Sequence, residues 1–326
     1  MIDRRRLMQL SAASMLASAA TGGRADAQAW PSRVVRFVVP YSAGGPTDIV
    51  ARLIADRLTQ IWGRQVVIEN RGGAGSNLGT EAVARSSPDG YTGLISAGAI
   101  AANRSLYRTV GYDPVADFAP VTLICTFPYF MFVPNSSPAK SVAEFIAHAK
   151  RNPRKLTFGS AGVGSAQHLT VEMFQRAAGI ELVHVPYRGA SDGLNDLIPG
   201  RLDLYFSSGS FLEQMRAGQI RGLGTSGLKR DPSAPELPTI AEAGVPGFDV
   251  TSWFALVVPA KTPPDIVKRM HADTAAVLAD QAIVQKLEQI GYTVIGSTSE
   301  ALAVHLKAEI NKWGALIKAA GISLNE

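Results

Sequence analysis

The chain has one cysteine, Cys125, so no disulfide can form within it. That residue lies in a hydrophobic run, Leu123-Ile-Cys-Thr-Phe127, and reads as core and not as a reactive thiol. Histidine is scarce too, with residues at 148, 168, 184, 271 and 305. They form no His-Glu-x-x-His or clustered His/Cys spacing, which argues against a built-in zinc site. A Gly-x-Ser-x-Gly elbow is missing, so a hydrolase nucleophile has no support and no enzyme activity is expected. Beyond the N-terminal leader no apolar run approaches the ~20 residues of a membrane helix. Charge of one sign is also lacking. The net charge is only +5, and Lys and Arg are scattered among acids, which leaves no footprint for nucleic acid.

The leader itself reads as an export signal over residues 1–27. Arg4, Arg5 and Arg6 precede an apolar stretch, Leu7 to Ala20, and Ala25-Asp26-Ala27 supplies small residues for cleavage before Gln28. The Arg-Arg-Arg-Leu-Met sequence also resembles a twin-arginine signal. With no cysteine near that point, a soluble periplasmic protein is expected and a lipid anchor is not.

What is present is a repeated unit of strand, Gly/Ser turn and helix. Val34–Leu58 is its first copy. Val34, Val35, Phe37, Val38 and Val39 form an apolar β-branched run ended by Pro40. Ser42, Ala43, Gly44 and Gly45 permit a sharp turn, and Pro46, Thr47 and Asp48 suit the start of a helix. Ile49, Val50, Leu53, Ile54 and Leu58 then recur at helical spacing. Such a turn aims free N–H groups at an anion, or is simply a strand-to-helix connection. The second copy is Leu156–Ala178, with Gly159-Ser-Ala-Gly-Val-Gly-Ser165 as its turn. Neither glycine motif is a nucleotide site. Gly73-Ala-Gly75 lacks the third glycine, since residue 78 is leucine, and Ser165 stands where a phosphate loop needs lysine.

Further strands are predicted at 65–69, 91–96, 182–185, 202–206 and 220–225, and helices at 78–85, 141–150, 191–198, 211–216, 265–278 and 301–320. Alternation of the two over the first ~70 residues after the leader predicts an α/β layer with a parallel sheet, and a second α/β series begins at Ser141. Val121–Val133, broken by Pro128, is long enough to pass from one domain to another, and Trp253–Val258 is a candidate for the return. The predicted organisation is therefore a discontinuous first domain, 28–127 with 253–326, a second domain, 128–252, and a cleft between them.

These stretches carry a resemblance. VPYSAGGPTDIVAR (39–52), VVIENRGGAGSNLGTEAVARSSPDGYT (66–92), FGSAGVGSAQHL (158–169), VHVPYRGASDGLNDLIPGRLDLYF (183–206) and PTIAEAGVPGF (238–248) are similar, in order, to the receptors of tripartite tricarboxylate transporters, the Bug proteins. The resemblance implies a two-domain α/β solute-binding fold of the type II, flytrap kind. It also implies a small carboxylate as ligand, no cofactor, a monomer, and a large and a small membrane subunit as partners. Some members appear in sensing, so a receptor presenting its solute to a membrane kinase is the alternative role, with a secreted hydrolase as a remoter one.

Carried onto this chain, the resemblance makes Tyr41–Asp48 one pincer, with Tyr41, Ser42, the backbone at Gly44 and Thr47 as donors. Asp48 either anchors a bridging water or caps its helix. Ser160–His168 forms the other pincer through Ser160, Gly164 and Ser165, while His168 either meets ligand or orders the loop. Asn77 and Ser96 are expected on the first wall, and Tyr187 is expected to reach the cleft. Two departures stand out: Ser42-Ala43 replaces the family's more usual Pro/Ala and Pro/Gly, and Ser207 follows Phe206 where the family commonly has Asp. Loss of that acid favours a simple or aromatic carboxylate over an amino acid.

Overall fold

A computed structural model describes residues 30–320, so the expected leader lies outside the described residues. Two sheets organise them. The first has the order β11-β4-β10-β3-β1-β2 and the second β7-β6-β8-β5-β9. In the first sheet the strands are β1 (Val35–Val39), β2 (Val66–Asn70), β3 (Thr92–Ala97), β4 (Phe118–Pro128), β10 (Thr251–Pro259) and β11 (Thr293–Val294). The second holds β5 (Phe130–Pro134), β6 (Thr157–Ser160), β7 (Val183–Pro186), β8 (Leu204–Ser207) and β9 (Ile220–Thr225). We call the two halves the first and second lobe by this sheet membership.

The first strand–turn–helix unit forms as its pattern dictates. Val35, Phe37, Val38 and Val39 are buried, and the chain turns into helix α1 (Pro46–Trp62), which has Pro at its start and no side-chain cap. Val50, Ile54, Leu58 and Trp62 bury one face of α1, and Gly63 ends it in a left-handed conformation (φ 59°). Helix α2 (Asn77–Ala84) follows. Helix α3 (Ala99–Leu106) was not predicted, because it is short and alanine-rich, with only Ile100 and Leu106 as large apolar residues. In the second lobe, helix α4 (Val142–Arg151) is capped by Ser141, whose Oγ accepts from Glu144 N. Helix α5 (Ala166–Ala178) is capped by Ser165, and α6 (Ala190–Leu197) and α7 (Leu212–Arg216) follow.

The chain then returns to the first sheet. Helices α8 (Pro264–Leu278), α9 (Gln281–Glu288, also unpredicted) and α10 (Ser299–Ala320) close that lobe. Glu309 fixes α10 to it, because its buried Oε2 accepts from the indole N–H of Trp253 on β10 and of Trp313, each at 3.0 Å.

The parallel sheet expected for the opening strand–helix alternation is present, and antiparallel strands extend it. Only β2, β1 and β3 run parallel in the first sheet, while β10 is antiparallel to β3 and β4. The reason is topological. The chain leaves the first lobe in β4 and comes back in β10, and these opposed strands pair from Phe118↔Pro259 to Pro128↔Thr251. The expected return over 253–258 falls in β10, the strand by which the chain re-enters the first sheet just after Val250 meets Ser226. Ser226 ties the two passages together. Tyr129 N donates to its Oγ and its N donates to Tyr129 O, both at 2.8 Å, while Val250 N donates to Ser226 O at 2.9 Å.

Close packing beside the first turn gives a direct test. A Cβ on Gly79 of α2 would lie 2.7 Å from Arg71 O and 2.9 Å from Pro40 Cα. Gly79→Ala should therefore lower the unfolding free energy by about 1–3 kcal/mol in urea titration. An unchanged midpoint would mean that α2 moves aside freely.

Candidate functional site

Between the lobes lies a small cavity of about 30 Å³. Its walls come from the turn after β1 (Tyr41, Gly45, Pro46, Thr47), the end of β3 (Ala97) and the passages between lobes (Phe127, Tyr129, Phe254). The second lobe adds Ala161, Ala166, Gln167, Ala190 and Ser208. These positions cluster just beyond the carboxyl ends of strands, where open α/β sheets place ligands.

Two helices begin at this cavity from opposite lobes. In α1 the first intrahelical bond runs from Ile49 N to Gly45 O, so the N–H groups of Thr47 and Asp48 have no intrahelical acceptor. In α5, Ser165 Oγ accepts from His168 N at 3.3 Å and Leu169 N bonds Ser165 O, which leaves the Ala166 and Gln167 N–H groups in the same position. Gln167 is further oriented because its Oε1 accepts from Ala161 N at 3.1 Å. Its amide NH2 is then the polar end left for the cavity. The phenols on the wall remain neutral donors. Burial pushes Tyr41 up to about 12 and raises Tyr129 further, with the Tyr129 hydroxyl 3.0 Å from Ser252 Oγ. No Asp, Glu, Lys, Arg or His lines the cavity among the described residues. Partial positive charge at two helix starts is what an anion would meet here.

Of the residues singled out from sequence, Tyr41 and Thr47 line this cavity and the others sit behind or beside it. Asp48 is buried within its own lobe. It accepts from Gly44 N at 2.9 Å, from Asn70 Nδ2 at 2.9 Å and from Arg52 through both oxygens at 2.8 and 3.0 Å. Burial alone would raise its pKa, but Arg52, the Gly44 N–H and Asn70 outweigh that and hold it below the ordinary value. Asp48 and Gly44 thus shape the turn. Ser42 points to the opposite lobe, where its Oγ donates to Asp192 Oδ2 at 2.7 Å. Asn77 accepts from Asn103 Nδ2 and the Tyr112 hydroxyl, and Ser96 bonds the carbonyl of its neighbour Ala97. Tyr187 lies beside a second opening between the lobes, opposite Gly73–Gly75, and its hydroxyl donates to Asp196 at 2.7 Å.

The second pincer is ordered from within. Ser160 Oγ pairs with His184 Nε2 at 2.6 Å and accepts from Gly162 N. Gly164 N donates to His168 Nδ1 at 3.2 Å, which fixes that nitrogen as the unprotonated one. The His168 and His184 rings stack with centroids 4.1 Å apart, and Phe158 stacks on His184. Ser165 Oγ accepts from His168 N as a helix cap, which leaves its O–H as a donor. Ser207 is fully buried with an unpartnered Oγ, and it is Ser208 that reaches the cavity.

Sequence reasoning missed Gln167, Ser208 and the aromatic wall of Phe127, Tyr129 and Phe254. For Gln167 the available signal was its place two residues into α5. The three aromatics were readable only as members of apolar strands.

The profile of the family described as "Tripartite tricarboxylate transporter family receptor" matches residues 50–322. The chain belongs to that receptor family. A relative from Pseudomonas sp. (strain P51), described as a UPF0065 protein in the tcbD-tcbE intergenic region, is 38% identical, with all of this chain and 97% of the relative covered. Among solved structures, an R. palustris protein determined with adipate is 42% identical at a TM-score of 0.88, covering 90% of this receptor and 100% of that chain. The periplasmic binding protein BugD gives the same TM-score at 35% identity, again covering 90% and 100%. These likenesses establish this receptor's two-sheet α/β architecture as that of periplasmic binding proteins.

The buried histidines make the receptor sensitive to acid. Burial lowers His168 from 6.5 to about 4, and burial together with His168 lowers His184 to about 3. Between those values and 6.5 the unfolded chain binds more protons than the folded one, so stability present above pH 6.5 is lost as the pH falls. The melting temperature should drop from pH 6.5 to 5, and His184→Phe should flatten that slope whatever its own melting point. Equal slopes in both proteins would show that other groups cause the loss.

Proposed function

We propose that this receptor captures a small organic acid between its lobes in the periplasm, closes on it, and delivers it to the membrane subunits of a tripartite tricarboxylate transporter. The supporting observation is the cavity's chemistry: two helix starts from opposite lobes, neutral polar groups at Thr47, Gln167 and Ser208, and an aromatic wall. A carboxylate meets N–H and hydroxyl donors, and its carbon body meets Phe127, Tyr129 and Phe254. An ammonium group has no carboxylate to pair with in that lining, and Ser207 and Ser208 follow Phe206 in place of the acid common in relatives. The reading therefore favours dicarboxylates with an apolar middle, or aromatic acids, over amino acids. The related R. palustris structure holds adipate, an acid of this type. Ligand contacts with donors on both lobes favour the closed state by their difference from the open one. Delivery then involves a monomeric receptor that acts by binding and has no catalytic step.

Calorimetry and thermal melting of protein 28–326 against adipate, malate, benzoate and aspartate test this. At a hundredfold excess over Kd a bound acid adds about 2.7 kcal/mol to stability. Adipate or benzoate should raise the melting temperature, and aspartate should not. Gln167→Leu, which keeps the bulk and removes the donor, should weaken binding about tenfold or more, the order expected for a lost hydrogen bond to a charged group. A preference for aspartate, or unaltered affinity in Gln167→Leu, would refute the assignment of these donors.

A further inference from the structure

The lobes touch directly outside the cavity, and those contacts share a design. Ser42 Oγ, in the first lobe, donates to Asp192 Oδ2 in the second at 2.7 Å. Ser191 Oγ donates back to Ala43 O at 2.9 Å. On the far side of the turn region the Tyr107 hydroxyl donates to Val163 O at 2.7 Å. None of these residues lines the cavity.

Glycines let the two backbones come that close. A Cβ on Gly189 would meet three atoms of Ser42, its N and Cβ at 2.7 Å and its Oγ at 3.0 Å. A Cβ on Gly75 would lie 1.9 Å from Val163 O, and one on Gly72 would lie 2.8 Å from Arg188 O. Gly75 also has a left-handed φ of 58°, which favours glycine by itself. Gly189 does not: its φ is −169°, extended backbone open to any residue. The nearest obstacles to a side chain at 189 are therefore atoms of the opposite lobe, and they are there only when the lobes are closed.

We propose that this seam is a latch that sets the receptor's closed fraction, and through it the affinity, without touching ligand. Asp192 is its positioning carboxylate, Ser42 and Tyr107 are its donors, and Gly189 is the gap into which the Ser42 turn seats. The inference extends the solute-binding reading, but the latch acts on the protein alone. A receptor competent to bind only when closed has an apparent Kd equal to the intrinsic value divided by the closed fraction. Each seam contact therefore alters binding through that fraction. It also explains Ser42, a hydroxyl at the pincer's edge that is committed to the other lobe and not to the cavity.

The decisive experiment reads lobe separation in dialysed protein by electron–electron spin resonance between labels on Val304→Cys and Ile198→Cys, one exposed site per lobe. Cys125 is fully buried and stays unlabelled. Wild-type seam residues should give a populated short distance without added acid. Asp192→Ala and Gly189→Ala should move that population to the longer distance, whereas Asp192→Asn, which keeps an acceptor for Ser42, should retain it. A parent protein with only the long distance, or variants that match it, would overturn the latch. With adipate as probe, Asp192→Ala should raise Kd about tenfold, chiefly through a faster koff. If adipate binds neither protein, the assignment of ligand class fails while the distance measurement still decides the latch.

Discussion

Everything in this molecule depends on two opposed passages of chain being stitched to each other where they pass between sheets. β4 runs out, β10 runs back, and Ser226 joins Tyr129 to Val250 through backbone and hydroxyl bonds at the point of crossing. The fully buried Ser226 pairs the N–H and C=O of both Tyr129 and Val250, as buried main chain requires. Two paired strands resist being pulled apart or sheared but can bend together. The lobes accordingly share one pivot, and any movement between them is converted into opening or closing along the opposite edge.

The cavity inherits its composition from that pivot. Its floor is the crossing itself: Phe127 and Phe254 come from strands buried on both faces, and Tyr129 is the buried residue that joins β4 to β5. Its two sides are helix starts, and these supply donors without any charged side chain. The charges nearby are used for construction. Asp48 with Arg52 and Asn70 braces one turn, while the His168–His184 stack braces the other. A brace of this kind holds backbone N–H groups in fixed directions, which a flexible Lys or Arg could not do with equal geometry.

Much of this was legible in the residues. Gly, Pro and hydroxyl residues at the ends of β-branched runs marked both strand–turn–helix units, and the long run broken by Pro128 marked the passage between lobes. The assignment of side chains within those units was less legible. Hydroxyls such as Ser160 and Ser165 read as ligand donors in sequence, and their second use as loop tie and helix cap was not visible there, because it answers the turn's own need to pair its N–H groups. Ser42 looks like a pincer residue in sequence and meets Asp192 only in three dimensions, across 150 residues of chain. The antiparallel extension of the first sheet was not legible for a similar reason. Alternating strands and helices describe β1 to β3 well, but nothing local says that β4 and β10 are the same doorway used twice.

The absence of a full charge in the cavity lining has one more consequence. An anion held by an arginine is attracted over a Debye length, about 10 Å at 0.1 M salt, and that attraction fades as salt rises. A helix start acts within its first turn, and a hydroxyl or amide acts only in contact. A lining built on dipoles would therefore forgo long-range steering and in return hold an anion with little dependence on salt.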